Sequence, residues 1–262
     1  TEDWSFGLSY TEVAEDFNPE VGFLRRSAYR SWRQSLLYRY RPQNSRFNLH
    51  ELRPHYSYSV FHDLDGFKES AFLHVDNHFE FKSGAEIHTG VNFRHEGLLE
   101  PFEIYDGIWI PPGSYSNREL QLVGYTDQGA PLSFSLRTII GEFFSGDAEH
   151  VSPSIQWRHG DRFTSSWGWT RTDVDLPTGK FTTDLGRIRL SYTLSERSTL
   201  QALLQYNNVS ELWSTNLRYS WLRTANTGLF IVYRDTQGFG NYDGEQPDRS
   251  LLIKYSHLFD IF

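Results

Sequence analysis

The sequence predicts an all-β protein, and within that class an antiparallel, up-and-down transmembrane β-barrel of about 14 strands. Two observations favour this fold. Apolar and polar residues alternate along runs of about ten residues, and the connections between these runs alternate in length. A third observation is the absence of any run of about eighteen apolar residues, which argues against a transmembrane helix.

The run from Trp213 to Trp221 shows the alternation most clearly. Every second residue from Trp213 onward is large or apolar apart from Thr215, whereas Ser214 and Arg218 belong to the opposite, polar set. Successive side chains of a strand point to opposite faces of its sheet, so the run predicts a strand with one apolar face. Comparable runs predict strands near residues 4–10, 31–41, 46–60, 68–81, 85–94, 117–126, 132–143, 149–158, 163–173, 181–194, 198–207, 212–222, 227–234 and 249–260.

The predicted connections fall into a short set and a longer set. The short set lies at 42–45, 82–84, 128–131, 160–162, 195–197 and 224–226, and the longest of the other set lie at 11–30, 101–117 and 235–248. Outer-membrane barrels have short periplasmic turns and longer extracellular loops, so we expect both termini in the periplasm. The connection at 145–148 is an exception, because it is short and falls on the outer side.

The composition limits the class of partner. The formal net charge of -8 argues against nucleic acid, and the chain contains neither cysteine nor methionine. We expect residues 1–262 to form a single barrel domain, with a signal peptide already removed. The expected location is the bacterial outer membrane, where outer-membrane lipid contacts the barrel and the barrel-assembly machinery inserts it.

A soluble β-sandwich or lipocalin-like barrel is the alternative, because alternation alone does not say which face is wet. Tryptophan and tyrosine near strand ends favour the membrane, since they concentrate at membrane interfaces. The chain also ends in an aromatic residue, Phe262. In the last strand, however, the apolar set comprises Leu251, Ile253, Tyr255, Phe259 and Ile261, which is out of phase with Phe262.

Four segments suggest a family. They are Phe17–Phe23 with Arg25 and Arg26, residues 216–221, residues 227–233 and residues 252–256. Together they resemble a little-characterised family of bacterial envelope proteins, in which an N-terminal domain similar to family-nine carbohydrate-binding modules precedes a long β-rich region. The resemblance implies that this chain is the C-terminal barrel of a longer precursor. Some members are labelled hydrolases without a defined active site, and no carbohydrate site transfers to these residues.

The polar faces of the strands contain many arginines. With the apolar face turned outward, these side chains line the inside of the barrel and orient polar solutes, or they pair with carboxylates and pack the interior. The predicted pore-lining residues are Arg33, Arg39, Arg41, Arg53, Arg94, Arg137, Arg158, Arg187, Arg189 and Arg218.

The connection at 101–117 is too apolar for an exposed loop. We therefore expect this segment to fold into the barrel mouth as a constriction or to contact a partner. The residues expected to form the constriction are Tyr105, Ile108, Trp109 and Ile110. The alternative is a loop that packs on itself and seals the rim.

His74, Asp76 and His78 alternate along one strand and are candidates for metal ligands. Neighbouring members lie about 6.6 Å apart along the strand, which is too far for one tight zinc site without help from flanking strands. His55 and His88 are placed to help. The spacing favours a polar ladder instead, so we predict no metal, no cofactor and no catalytic residues.

These patterns predict a pore for small polar solutes, sugar-like or anionic in character. Two alternatives remain open. The barrel anchors or assembles a periplasmic carbohydrate-binding domain or another envelope protein, or it is an outer-membrane hydrolase, although no catalytic motif is present.

Overall fold

The computed structural model describes residues 3–24, 26–224, 227–239 and 248–258. These residues form sixteen strands: β1 (Trp4–Val13), β2 (Tyr29–Tyr38), β3 (Leu49–Asp63), β4 (Lys68–Phe81), β5 (Glu86–Leu98), β6 (Phe102–Tyr105), β7 (Ile108–Ile110), β8 (Gly113–Tyr125), β9 (Leu132–Phe143), β10 (Gly146–His159), β11 (Phe163–Leu176), β12 (Gly179–Ser195), β13 (Ser198–Asn207), β14 (Leu212–Thr224), β15 (Thr227–Gly238) and β16 (Arg249–Ser256). Within the described residues, no helix is long and apolar enough to cross a membrane. The predicted all-β class is confirmed.

Fourteen strands form one sheet in which sequence neighbours lie side by side, except that β5 lies beside β8. The strand number of this sheet agrees with the predicted number. β6 and β7 pair as a separate antiparallel hairpin inside the connection predicted at 101–117. Strands of four and three residues are too short to show an alternation, which is why the sequence does not reveal them.

The connections follow the predicted alternation of lengths only in part. Residues 160–162 and 196–197 form short connections as expected, but on the other side residues 144–145 and 177–178 are equally short. The strands there continue into the predicted loops: β10 begins at Gly146 and β12 at Gly179. Backbone pairing extends a hairpin beyond its apolar alternation, so loop length is a weaker signal than the sequence suggests.

Several predicted features lie outside the described residues. They are Arg25, residues 225–226, residues 240–247 of the last long connection, and the terminal residues 259–262.

The chain forms two compact units. The first comprises Thr1–Thr126, Arg137–His150 and Asp173–Phe181, and the second comprises Asp127–Leu136, Val151–Thr172 and Thr182–Phe262. Strands β1 to β8 belong to the first unit and β13 to β16 to the second. The single domain expected over residues 1–262 stays a prediction.

In the second unit the strand register sorts the side chains as the alternation predicts. Arg187 lies opposite Gln205, and Arg218 lies opposite Gln201, so these polar residues share one face. Opposite it lie Ile188, Leu190, Tyr192, Leu200, Leu204, Tyr206, Trp213, Leu217, Tyr219, Leu229, Ile231, Leu251, Ile253 and Tyr255. The pairing of Ile253 with Ile231 puts Leu251, Ile253 and Tyr255 on the apolar face, whereas Phe262, against which the phase of the last strand was predicted, lies outside the described residues.

The first unit has the same two-faced sheet. On β4 and β5, Asp76 lies opposite Gly90 and His78 opposite His88, whereas Val75 lies opposite Val91 on the other face. The apolar face continues onto the exposed side chains Trp4, Phe6, Leu8, Tyr10, Phe93, Leu120 and Leu122.

The β6–β7 hairpin supplies a small hydrophobic core to the first unit. Ile110 is fully buried and packs with Val174 and Leu176. Around them lie the partly buried residues Leu98, Ile104, Ile108, Tyr115, Phe143, Phe144, Ala148 and Phe181. The hairpin is thereby fixed to the ends of β10, β11 and β12 that belong to this unit.

Candidate functional site

The described part of the chain buries polar side chains and exposes large apolar ones. Ten polar or charged residues are buried there, against five hydrophobic ones. Phe6, Leu120 and Leu251, in contrast, are exposed to 67%, 66% and 63%. A water-soluble protein shows the reverse preference. Polar groups are buried together for a purpose other than ordinary core packing, so we take the polar face as the candidate site.

A network of ion pairs occupies one part of this face in the first unit. The carboxylate of Glu51, whose side chain is 6% exposed, lies 2.6 Å from Arg41 Nη2 and 3.6 Å from Arg53 Nε. Arg53 also contacts Glu86 and Glu80. A buried carboxylate requires such partners, so Arg41 and Arg53 are committed to neutralising glutamates.

A second network of contacts connects β8, β5 and β4. Arg94 Nε donates a hydrogen bond to Glu119 Oε1 at 3.2 Å, and Asn92 Nδ2 donates one to Glu119 Oε2 at 3.1 Å. Asn92 Oδ1 in turn lies 2.6 Å from His74 Nδ1. Arg94 also stacks over the ring of Phe72, with its Cζ 4.9 Å from the ring centroid. These residues form one connected polar network.

The arginines of the second unit have a different environment. Arg187, Arg189 and Arg218 are exposed on the polar face, and in the described residues none of them forms an ion pair. The guanidinium of Arg218 lies 5.8 Å from the centroid of the Phe230 ring. These three guanidinium groups are therefore exposed and are not neutralised by a carboxylate of the described residues.

The remaining predicted pore-lining arginines have varied contacts. Arg137 donates to the side-chain oxygen of Gln121 at 3.1 Å, and Arg33 lies 5.5 Å from the centroid of the Phe61 ring. Arg158 donates to the backbone oxygens of Gln128 and Ala130, so it holds the turn before β9. The backbone nitrogen of Arg39 donates to the oxygen of Asp3 at 2.7 Å.

The predicted constriction residues lie in the β6–β7 hairpin. Ile108 and Ile110 belong to the hydrophobic cluster, and the Tyr105 ring stacks on Phe181 with centroids 4.6 Å apart. Trp109 is 49% exposed. The hairpin is thus a fixed element, and its role as a constriction stays a prediction.

A histidine–aspartate cluster lies on the polar face of β3, β4 and β5. It comprises His55, His74, Asp76, His78 and His88. Two sets of ligand atoms in it lie within 4.8 Å of one another: His55, His74 and Asp76 form one, and Asp76, His78 and His88 form the other. Asp76 belongs to both sets, and its side chain is 0% exposed.

The sequence misses some partners of these sites. Glu51, Glu86 and Glu119 are not among the predicted residues, although each shares a face with a predicted arginine or histidine. Alternation assigns a residue to a face, but only the register between strands says which residues are opposite each other.

Comparison of the chain with models of protein families, with curated proteins and with solved structures finds no match.

Proposed function

We propose that the fourteen-stranded sheet closes into a β-barrel in the bacterial outer membrane and passes small polar solutes through its polar interior. The single observation that supports this most is the distribution of side chains, with polar groups buried and large apolar groups exposed on the opposite face. A membrane β-barrel needs this arrangement, because lipid covers its outer face and water or polar groups fill its interior.

The apolar face is too extensive to be exposed to water. Its members recur at alternate positions along neighbouring strands, as in Leu200, Tyr219, Ile231 and Ile253, which lie side by side across β13 to β16. An exposed apolar area this continuous marks a surface that contacts a partner or a membrane. In the proposal that partner is outer-membrane lipid, the barrel-assembly machinery inserts the chain, and both termini lie in the periplasm.

The preference for solutes follows from the arginines. Arg41, Arg53 and Arg94 are neutralised by glutamates, whereas Arg187 and Arg189 keep exposed guanidinium groups. Unpaired cations on a channel wall attract anions and donate hydrogen bonds to sugar hydroxyls. We therefore propose anionic or sugar-like solutes as the substrate class.

Planar-bilayer recording of the folded chain tests the proposal. We expect single-channel events with a preference for anions, and a reduced anion-to-cation permeability ratio in the double variant Arg187→Gln/Arg189→Gln. Arg197→Gln is the control, because it removes one charge in the exposed turn between β12 and β13. Equal ratios in the double variant and the control would contradict the assignment of these arginines.

The anchor hypothesis is the second candidate. The ion-pair network of Glu51, Arg53 and Glu86 supports it, because a packed polar interior leaves little room for a solute. In this case the barrel holds a periplasmic carbohydrate-binding domain, as the family resemblance implies, or another envelope protein. A folded chain that migrates faster on gels before heating than after, but gives no channel events, would favour the anchor over the pore.

A further inference from the structure

We propose that the histidine–aspartate cluster binds a divalent transition-metal ion of the zinc class, with Asp76 as the shared ligand. His55 and His74 complete the site on one side of Asp76, and His78 and His88 complete it on the other. The proposal concerns the polar face of β3 to β5 alone, so it does not depend on conduction.

The state of Asp76 is the first argument. Its side chain is 0% exposed, and neither carboxylate oxygen accepts a hydrogen bond from the described residues. Burial of an ionised carboxylate is costly unless a cation or hydrogen-bond donors compensate it. A bound metal ion supplies that compensation to both oxygens.

The spacing of the nitrogen atoms is the second argument. His74 Nε2 lies 3.3 Å from Asp76 Oδ2, and His78 Nε2 lies 3.5 Å from the same oxygen, without hydrogen-bond geometry. In a tetrahedral zinc site with bonds of about 2.0–2.1 Å, the ligand atoms lie about 3.3–3.4 Å apart. Each contact therefore has the distance expected between two ligands of one ion, His74 with Asp76 in one set and His78 with Asp76 in the other.

The orientation of the imidazole rings is the third argument. His74 Nδ1 lies 2.6 Å from Asn92 Oδ1, and His55 Nδ1 lies 3.0 Å from the backbone oxygen of Arg53. Both acceptors favour a proton on Nδ1, which leaves Nε2 as the lone-pair donor. Histidines that bind metals usually donate their other N–H to an oxygen in this way.

The register between the strands overcomes the spacing problem. The expectation that the β4 candidates lie too far apart is wrong for their ligand atoms, because the side chains of His74 and His78 bend toward Asp76. From the flanking strands, His55 lies opposite Asp76 on β3, and Gly90 lies opposite it on β5. A Cβ atom at Gly90 would stand 3.1 Å from His74 Cε1 and 3.2 Å from Asp76 Cγ. Because glycine has no Cβ atom, it leaves the space in which the side chains of His74 and Asp76 approach each other.

The second side of the site has its own support. The rings of His78 and His88 stack in parallel with centroids 3.4 Å apart. His88 Nε2 lies 3.0 Å from Glu86 Oε1 but, like Asp76, has no hydrogen-bond partner in the described residues. Nitrogen and carboxylate ligands together favour zinc, cobalt or nickel over calcium and magnesium.

Titration calorimetry with Zn²⁺ tests the proposal on the full chain folded in detergent and previously treated with a chelator. We expect at least one ion per chain, unaffected by an excess of Mg²⁺ or Ca²⁺. Co²⁺ in place of Zn²⁺ should give the visible absorption bands of a tetrahedral nitrogen–oxygen site.

Asp76→Asn should weaken Zn²⁺ binding at least ten-fold, because it removes the ligand common to both sides. His159→Gln is the control, since His159 is an exposed histidine at the end of β10, outside the cluster. Asn92→Ala should weaken binding about ten-fold by releasing His74, although Asn92 is not itself a ligand.

Two outcomes would overturn the proposal. One is the absence of Zn²⁺ binding by the folded wild-type chain. The other is equal affinity in Asp76→Asn and His159→Gln, which would assign binding to surface histidines. If Asp76→Asn does not fold, judged by circular dichroism, the pair His74→Gln and His159→Gln makes the same comparison.

Discussion

The β6–β7 hairpin allows a quantitative prediction about local stability. Ile110 is fully buried between Val174 and Leu176, whereas its neighbour Trp109 is 49% exposed. Two strands of four and three residues do not form a stable hairpin in isolation. The change Ile110→Ala should therefore open the hairpin more often without unfolding the sheet.

The size of the effect follows from the atoms removed. Ile→Ala deletes three carbon atoms from a fully buried site, and each buried methylene is worth about 0.8 kcal/mol, so the transfer loss is about 2.4 kcal/mol. The cavity left behind adds to this, within the usual range of about 2–5 kcal/mol. A loss of about 2.4 kcal/mol corresponds to a roughly fifty-fold larger open population.

Hydrogen exchange of the backbone amides in β6 and β7 measures that population. The amides should exchange roughly fifty-fold faster in Ile110→Ala, because exchange reports local opening, whereas amides of β13 and β14 should keep their rates. If the hairpin also narrows a channel, the same variant should show a larger single-channel conductance.

Trp109→Ala is the matched control. It removes a larger side chain from the same strand but leaves the hydrophobic cluster intact. Equal acceleration in both variants, or no acceleration in Ile110→Ala, would refute the view that Ile110 fixes the hairpin.

Two further predictions concern the sheet and are checked by urea unfolding in detergent. Gly97→Ala should lower the free energy of unfolding by about 1–3 kcal/mol, because its Cβ would stand 2.5 Å from the Lys68 oxygen. Gly124→Ala, with nothing within 4 Å of its Cβ, should have little effect, and an equal loss in both would contradict the steric explanation. In metal-free protein, Asp76→Asn should raise the free energy of unfolding by about 1–3 kcal/mol, because it removes a buried charge that accepts no hydrogen bond. A lower value would indicate that Asp76 is instead stabilised by ion pairs with histidine.

Alternation was enough to predict the strands of the fourteen-stranded sheet and, in the second unit, their faces, but not β6 and β7. The runs ending at Leu194 and Trp221 place arginine on one face and large apolar residues on the other, and the register of β12 to β14 confirms both assignments. This works because a one-residue shift moves every apolar side chain to the wrong face, so the pattern fixes the face of each residue, although not its partner on the next strand.

The approach of side chains on different strands could not be predicted in the same way. His74 and Asp76 are close in sequence, but the contacts of His55 and His88 with this pair depend on which residues of β3 and β5 lie opposite. Gly90 is equally uninformative in the sequence, where it resembles any strand glycine. Its role appears only once its Cβ position is compared with Asp76.

The order of strands in the sheet also has a consequence for folding kinetics. Nearly every strand pairs with its neighbour in sequence, so most ladders form by closing loops of a few residues, which costs little chain entropy. The pairings of β1 with β2 and of β5 with β8 are different, because the longer connections 14–28 and 99–112 must be closed first. The β6–β7 hairpin folds within the connection 99–112 and so shortens the flexible loop that must be closed before β5 pairs with β8. A chain with a loosened hairpin should therefore be slow in pairing β5 with β8, while the hairpins on either side form at their usual rates.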